Sequence, residues 1–184
     1  RGGDFLYSDE ELRLMMRDIE HARTAGATGV VFGVLTSDGR VDVERTRSLV
    51  EKAQGMQTTF HRAIDMTVDY EQAIRDVIET GCTRILTSGG EDKAVNGIER
   101  IVQAVALTRG KVEIMVGSGV NPDNAALLVA TGVDALHFSA KRMVPSTMNY
   151  RNPRISMGGC NAVDEYALRS IDVKEIRAIM EIMN

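Results

Sequence analysis

Cysteine is scarce in this chain: Cys82 and Cys160 are the two in 184 residues, they lie far apart, and neither sits in a CxxC pair. That usage excludes a disulfide framework and a cysteine-based structural zinc site, and it fits a reducing compartment. Long hydrophobic runs are lacking too. The apolar stretches are of strand length, such as Val30-Val31-Phe32, against the ~20 residues that a membrane helix needs, so no membrane association is expected. Lysine and arginine never run longer than two in a row, and 22 basic against 26 acidic residues leave a formal charge of −4. Such a balance offers no footprint for nucleic acid. The nucleotide fingerprint GxGxxG after a first strand is also absent, which weighs against a doubly wound dinucleotide fold.

What is present is a globular composition, 43% hydrophobic and 26% charged, well away from the corner where chains stay disordered. The length suits one sizeable core, and a single domain over 1–184 is expected. Arg1-Gly2-Gly3-Asp4 reads as a loop that follows something else. From there, helical and strand spacing alternate. Ser8 with Glu11 three residues on marks a capping box, opening a helix on Leu12, Met15, Met16, Ile19 and Ala22. Gly26 ends it, a strand follows at Val30–Leu35, and the cycle repeats with strands at Thr58–His61, Arg84–Thr87, Glu113–Val116 and Ala135–Phe138. Asn121 and Pro122 have the cap and first-turn pattern of another helix.

The helix-ending glycines Gly26, Gly55, Gly81, Gly110 and Gly132 are 29, 26, 29 and 22 residues apart, an internal period. Alternating helix and strand units with short loops predict a parallel sheet covered by helices. The reading is α/β, a TIM-type (β/α)8 barrel of which this chain holds the last five βα units; about three units are expected to precede Arg1. Open sheet edges then predict association into a homo-oligomer. Periodicity lapses over 141–171, an irregular segment before a final helix on Val173, Ile176, Ile179 and Met183.

In such folds ligands bind at the strands' carboxyl ends, so the polar residues there are the candidates. His61, Arg62 and Asp65 follow the second strand; His61 can be a general base or metal ligand, Arg62 an anion partner, and Asp65 an orienting group. A hydrogen-bonded loop histidine is the plain alternative. Asp4 and Asp38 are expected on the same rim, with Ser88 after the third strand. Gly117-Ser118-Gly119, leading into the helix capped by Asn121, and Ser139 after the next strand have the layout of a barrel phosphate site. The alternative is a tight turn that needs glycine. His137 either faces that mouth or points into a layered core. His21 is expected to be exposed, and Cys82, on the opposite rim, to be buried structure. Ten methionines would suit Cu(I), yet Met15, Met16, Met115, Met180 and Met183 fall at positions expected in the core.

Several segments closely resemble the CutC family of copper homeostasis proteins: Arg1-Gly2-Gly3-Asp4-Phe5-Leu6-Tyr7-Ser8, Gly33-Val34-Leu35-Thr36-Ser37-Asp38-Gly39, Thr59-Phe60-His61-Arg62-Ala63-Ile64-Asp65, Arg84-Ile85-Leu86-Thr87-Ser88-Gly89 and Tyr150-Arg151-Asn152. The resemblance implies a TIM-type barrel, a cytoplasmic setting, copper as the bound ion, and a role in copper tolerance or trafficking. It implies no reaction. Two functions of different class follow. One is a copper-binding protein using His61 and His137 with thiol or thioether ligands. The other is a barrel enzyme, a lyase, isomerase or hydrolase, acting on a small phosphorylated or carboxylated metabolite through His61, Arg62 and Asp65, with Gly117, Ser118, Gly119 and Ser139 on the anion.

Overall fold

A computed structural model describes residues 1–155 and 164–183, so Cys160 lies outside the described residues. The chain divides into two compact units, Arg1–Phe138 and Ser139–Asn184. In the first unit helix and strand alternate as the spacing predicts: α1 (Asp9–Thr24), β1 (Gly29–Phe32), α2 (Val43–Ala53), β2 (Gln57–Phe60), α3 (Tyr70–Thr80), β3 (Arg84–Thr87), α4 (Ile98–Thr108), β4 (Glu113–Gly117), α5 (Pro122–Val129) and β5 (Ala135–His137). The helix starts follow the sequence closely. Ser8 Oγ accepts from Glu11 N–H at 3.2 Å while Glu11 accepts from Ser8 N–H at 2.8 Å. Asn121 likewise caps α5 ahead of Pro122.

All five strands are parallel and stand in sequence order, β1-β2-β3-β4-β5. This is the arc of a TIM-type barrel, with β1 and β5 at its edges. The registers separate its two faces. Val31 pairs Thr59, Thr59 pairs Arg84 and Arg84 pairs Glu113, so these four share one face. Val31 is 61% exposed there, and Arg84 and Glu113 form an exposed ion pair across it. On the other face Phe32, Phe60, Ile85, Ile114 and Val116 are buried, as are Leu49, Ile74, Val77, Ile101 and Leu128 of the helices. The core of this unit is therefore the helix-covered face, where each fully buried large aliphatic or phenyl side chain contributes about 1.5–3 kcal/mol.

The second unit holds β6 (Lys141–Pro145), β7 (Ala167–Ile171) and α6 (Val173–Met183). β6 and β7 pair antiparallel from Lys141 opposite Ile171 to Pro145 opposite Ala167, so the ends of the segment expected to be irregular form a ribbon. Neither KRMVP nor ALRSI alternates apolar with polar residues, and the ribbon is set by a partner distant in sequence rather than by local pattern. Between them, Asn152 N–H donates to Tyr166 Oη at 2.8 Å and the Arg151 guanidinium lies 4.2 Å from the Tyr166 ring centroid. The methionines depart from expectation. Met15, Met16 and Met115 are half-buried, and Met180 and Met183 are exposed. Met115 lies on the sheet face that also carries Arg84 and Glu113, and Ile179 is the buried residue of α6.

The asymmetry of the sheet is testable. Ile85→Ala, on the covered face, should cost about 2–5 kcal/mol, whereas Val31→Ala should change stability by no more than about 0.5 kcal/mol. Urea unfolding midpoints check this, and equal losses at the two positions would contradict the assignment of faces.

Candidate functional site

Parallel strands put every carboxyl end on one edge. His61 directly after β2, Ser88 directly after β3, Gly117 ending β4 and His137 ending β5 thus share a rim, and Gly117 pairs His137 in register. Cys82 precedes β3 on the opposite rim, 3% exposed, with burial pushing its thiol pKa up.

His61 caps a short 3₁₀ turn, Arg62–Met66, and its Nδ1 accepts the Ala63 N–H at 3.2 Å. The proton of the neutral ring is thereby placed on Nε2. The half-buried ring stands against Phe5, with centroids 4.9 Å apart. Desolvation lowers its pKa below the ordinary 6.5, so the imidazole is neutral at pH 7. Gly33 makes room for it: a Cβ there would lie 2.6 Å from Nδ1 and 2.7 Å from Cε1. Phe5 is held in turn by its carbonyl, which accepts from Leu35 N–H at 2.9 Å.

Arg62 and Asp65 come together in a dense network. Asp65, its side chain 4% exposed, accepts from Arg62 Nε at 2.8 Å, Thr87 Oγ1 at 2.6 Å, Gly90 N–H at 2.9 Å, and Ser88 through both N–H and hydroxyl at 3.0 Å. Arg62 Nη2 reaches Ser88 Oγ at 2.7 Å and the Glu91 carbonyl at 3.0 Å. Thr87 also meets the buried Tyr70 hydroxyl at 2.8 Å. The loop from Ser88 to Gly90 is clamped from behind, where a Cβ on Gly89 would lie 2.4 Å from the Gly97 carbonyl.

The remaining candidates are more dispersed. Asp4 is exposed and accepts from Leu6 N–H at 3.2 Å; with Phe5, Leu35, Thr36 and Met66 it lines a cleft of about 250 Å³. Asp38 is exposed, and the Thr36 hydroxyl at 2.5 Å, with a smaller contribution from Arg40, holds its carboxyl below the usual range. Ser118 and Gly119 both adopt the left-handed backbone, φ 86° and 72°. Ser118 Oγ donates to the Asp92 carbonyl at 2.5 Å. The N–H groups of Ser118, Gly119 and Val120 have no partner among the described residues. The stem of Lys93 lies over Gly119, 3.3 Å from where a Cβ would stand. The first free amides of α5, at Asp123 and Asn124, are already taken by the Asn121 side chain. His137 is exposed beside Gly117 rather than in a core. Ser139 opens the second unit, exposed.

Sequence reasoning did not find Phe5, Gly33, Tyr70 or Lys93 as parts of this rim. The strand-end rule pointed to Thr87 without saying that its hydroxyl would bind Asp65; the others act through contacts with no local pattern.

Fold and rim together define an α/β protein of TIM-barrel type, its polar groups gathered at the strands' carboxyl ends. Solved structures agree: a mandelate oxidase variant carrying an FMN adduct superposes with TM-score 0.55 at 18% identity, covering 74% of this chain and 48% of that one, a likeness of fold alone. The CutC family model matches residues 1–142. A family protein CutC of Bacteroides thetaiotaomicron is 46% identical over 167 residues, 90% of this chain and 67% of the relative; one of Chromobacterium violaceum is 43% identical over 185 residues, 100% of this chain and 74% of the relative. A crystal structure of a candidate copper homeostasis protein CutC from Streptococcus agalactiae superposes with TM-score 0.70 at 35% identity, over 74% of this chain and 68% of that one. The chain belongs to the CutC family.

The depressed His61 pKa carries a linkage. Unfolded, the ring titrates near 6.5; folded, it titrates lower. The unfolded state thus binds more protons between the two values, so stability is full above about pH 6.5 and declines as pH falls to the folded pKa. Urea midpoints measured from about pH 7.5 down to 5 should show this decline, and His61→Asn, which keeps a cap acceptor for Ala63, should reduce it. An identical pH profile in the variant would contradict the burial account.

Proposed function

We propose that this rim binds a small anionic metabolite carrying a phosphate or carboxylate, and that the chain is a barrel enzyme of the lyase, isomerase or hydrolase type. The observation that carries this reading is the combination, on one rim, of a neutral His61 with its proton on Nε2 and a Gly117–Gly119 loop with unpartnered amides under Lys93. Backbone N–H groups that approach a ligand closely, with a lysine stem packed beside them, suit an oxyanion. A neutral imidazole donor suits an oxygen on which charge develops in the reaction. Ser139 belongs to the other unit and takes no part in this proposal.

Copper binding is the second reading, favoured by the family and by one observation: Met180 and Met183 are exposed one helical turn apart on α6, with Met143 and Met148 also exposed in the same unit. Thioethers suit Cu(I) as a carried ion. The rim histidines fit copper less well. Ligation through Nε2 of His61 requires its proton to move to Nδ1, which sets two donors against each other at Ala63. Among the described residues no three His, Cys, Asp or Glu side chains are grouped to hold a metal ion, although Met66 lines the Asp4 cleft. The wider proposal is a chain of the reducing cytoplasm, its Cys82 thiol free, that assembles as a homo-oligomer through the edges of the five-stranded sheet.

Isothermal titration tests both readings. Inorganic phosphate or malonate should bind saturably to the wild-type chain and at least about tenfold more weakly to Gly119→Asp, where bulk, strain at positive φ and like charge combine. Lys93→Ala should weaken binding by about twofold to fivefold. Cu(I) should bind equally to wild type and to His61→Ala/His137→Ala. No saturable anion binding, or copper affinity lost with the histidines, would contradict the proposal.

A further inference from the structure

The hydrogen bonds behind Arg62 run in one direction. Thr87 has a single hydroxyl proton, and it lies toward Asp65 Oδ1 at 2.6 Å. The Tyr70 hydroxyl at 2.8 Å therefore donates to Thr87, as does the Gly89 N–H at 2.9 Å. Thr87 is fully buried and Tyr70 is 9% exposed. Burial also pushes the Tyr70 phenol up to about 12, so it keeps its proton across the working range. Asp65 accepts from Arg62 Nε, the Thr87 hydroxyl and the N–H groups of Ser88 and Gly90, and shares the Ser88 hydroxyl with the Glu91 carbonyl; within this network it is an acceptor only.

Arg62 is the outward member of the chain. Its Nε is held by Asp65, and its Nη2 by Ser88 Oγ and the Glu91 carbonyl. Nη1 has no partner among the described residues, and the side chain is 40% exposed. A guanidinium fixed along one edge with one nitrogen open is ready to meet an anion at little further cost in side-chain order.

We propose that Arg62 recognises the anionic group of the ligand through Nη1, and that Asp65, Thr87 and Tyr70 are positioning residues that hold its guanidinium for that contact. This rests on the anion-binding reading of the rim and deepens it, because it names the arginine nitrogen that meets the anion and the buried groups that hold it there. Phosphate and carboxylate share the required chemistry, and separate titrations distinguish them.

The experiment follows the arginine Nε–H and the Gly117–Gly119 amides of the full chain by ¹H–¹⁵N NMR while inorganic phosphate is added, with malonate in a parallel arm. In wild type the Arg62 Nε–H should exchange slowly with solvent, and the anion that binds more tightly should shift it saturably. Thr87→Val and Tyr70→Phe, each close in shape to the native residue, should speed that exchange about tenfold and weaken the anion about threefold to tenfold. Arg62→Lys, which keeps the charge and loses the planar fork, should weaken the anion by at least about tenfold. If the anion shifts the Gly117–Gly119 amides but leaves Arg62 unmoved, or if Arg62→Lys binds like wild type, the Arg62 assignment is overturned and the anion reading stands. Unchanged exchange in both relay variants overturns the positioning role. If neither set of signals moves with either anion, the anion reading itself fails, and the inference with it.

Discussion

Asp65 is a carboxylate almost sealed from solvent, and its need for donors shapes the rim. Burying such a group without partners costs several kcal/mol, and here donors come from the turn after β2 and from the end of β3 and its loop. Satisfying one side chain therefore ties two neighbouring strand ends together and fixes the path of Ser88, Gly89 and Gly90. The clamp of Gly89 against Gly97 works from the other side, since neither position has space for a Cβ. Arg62 takes its orientation from Asp65 within its own short turn and from Ser88 and the Glu91 carbonyl after β3.

The sheet beneath the rim divides its labour between faces. The helix-covered face carries the core, with Phe60, Ile85 and Ile114 buried, and it supplies the hydrophobic stabilisation of the unit. The opposite face carries exposed Val31 and the Arg84–Glu113 pair, which contributes little because it is in contact with solvent. The rim residues stand at the ends of strands whose positions the covered face sets.

Much of this was legible in the sequence, for identifiable reasons. The capping box at Ser8 and Glu11, the Asn121–Pro122 start and the alternating periods are local signals, and they located the first helix, the start of α5 and all five strands of the first unit to within a few residues. The parallel order of five strands followed from the short loops between them. His61 and Gly117 were assigned to one rim because parallel strands leave no choice. Legibility ended where contacts are distant in sequence: Thr87 and Asp65 are 22 residues apart, Gly33 and His61 are 28 apart in position, and the β6–β7 ribbon joins segments without alternation. The methionines misled because core position was inferred from their place in a helix or strand pattern, while α6 buries Ile179 and leaves Met180 and Met183 exposed.

Two chemistries are proposed for this chain, oxyanion recognition at the rim and soft-metal binding at the exposed methionines of the second unit. Our proposal gives the functional role to the first. It is tested most directly by a crystal structure of the chain soaked separately with millimolar phosphate and with Cu(I). The expected result is a phosphate within hydrogen-bond distance of the Gly119 amide, with His61 Nδ1 still accepting from Ala63. An empty loop in the phosphate crystal, together with a copper ion ligated by His61, would contradict the account.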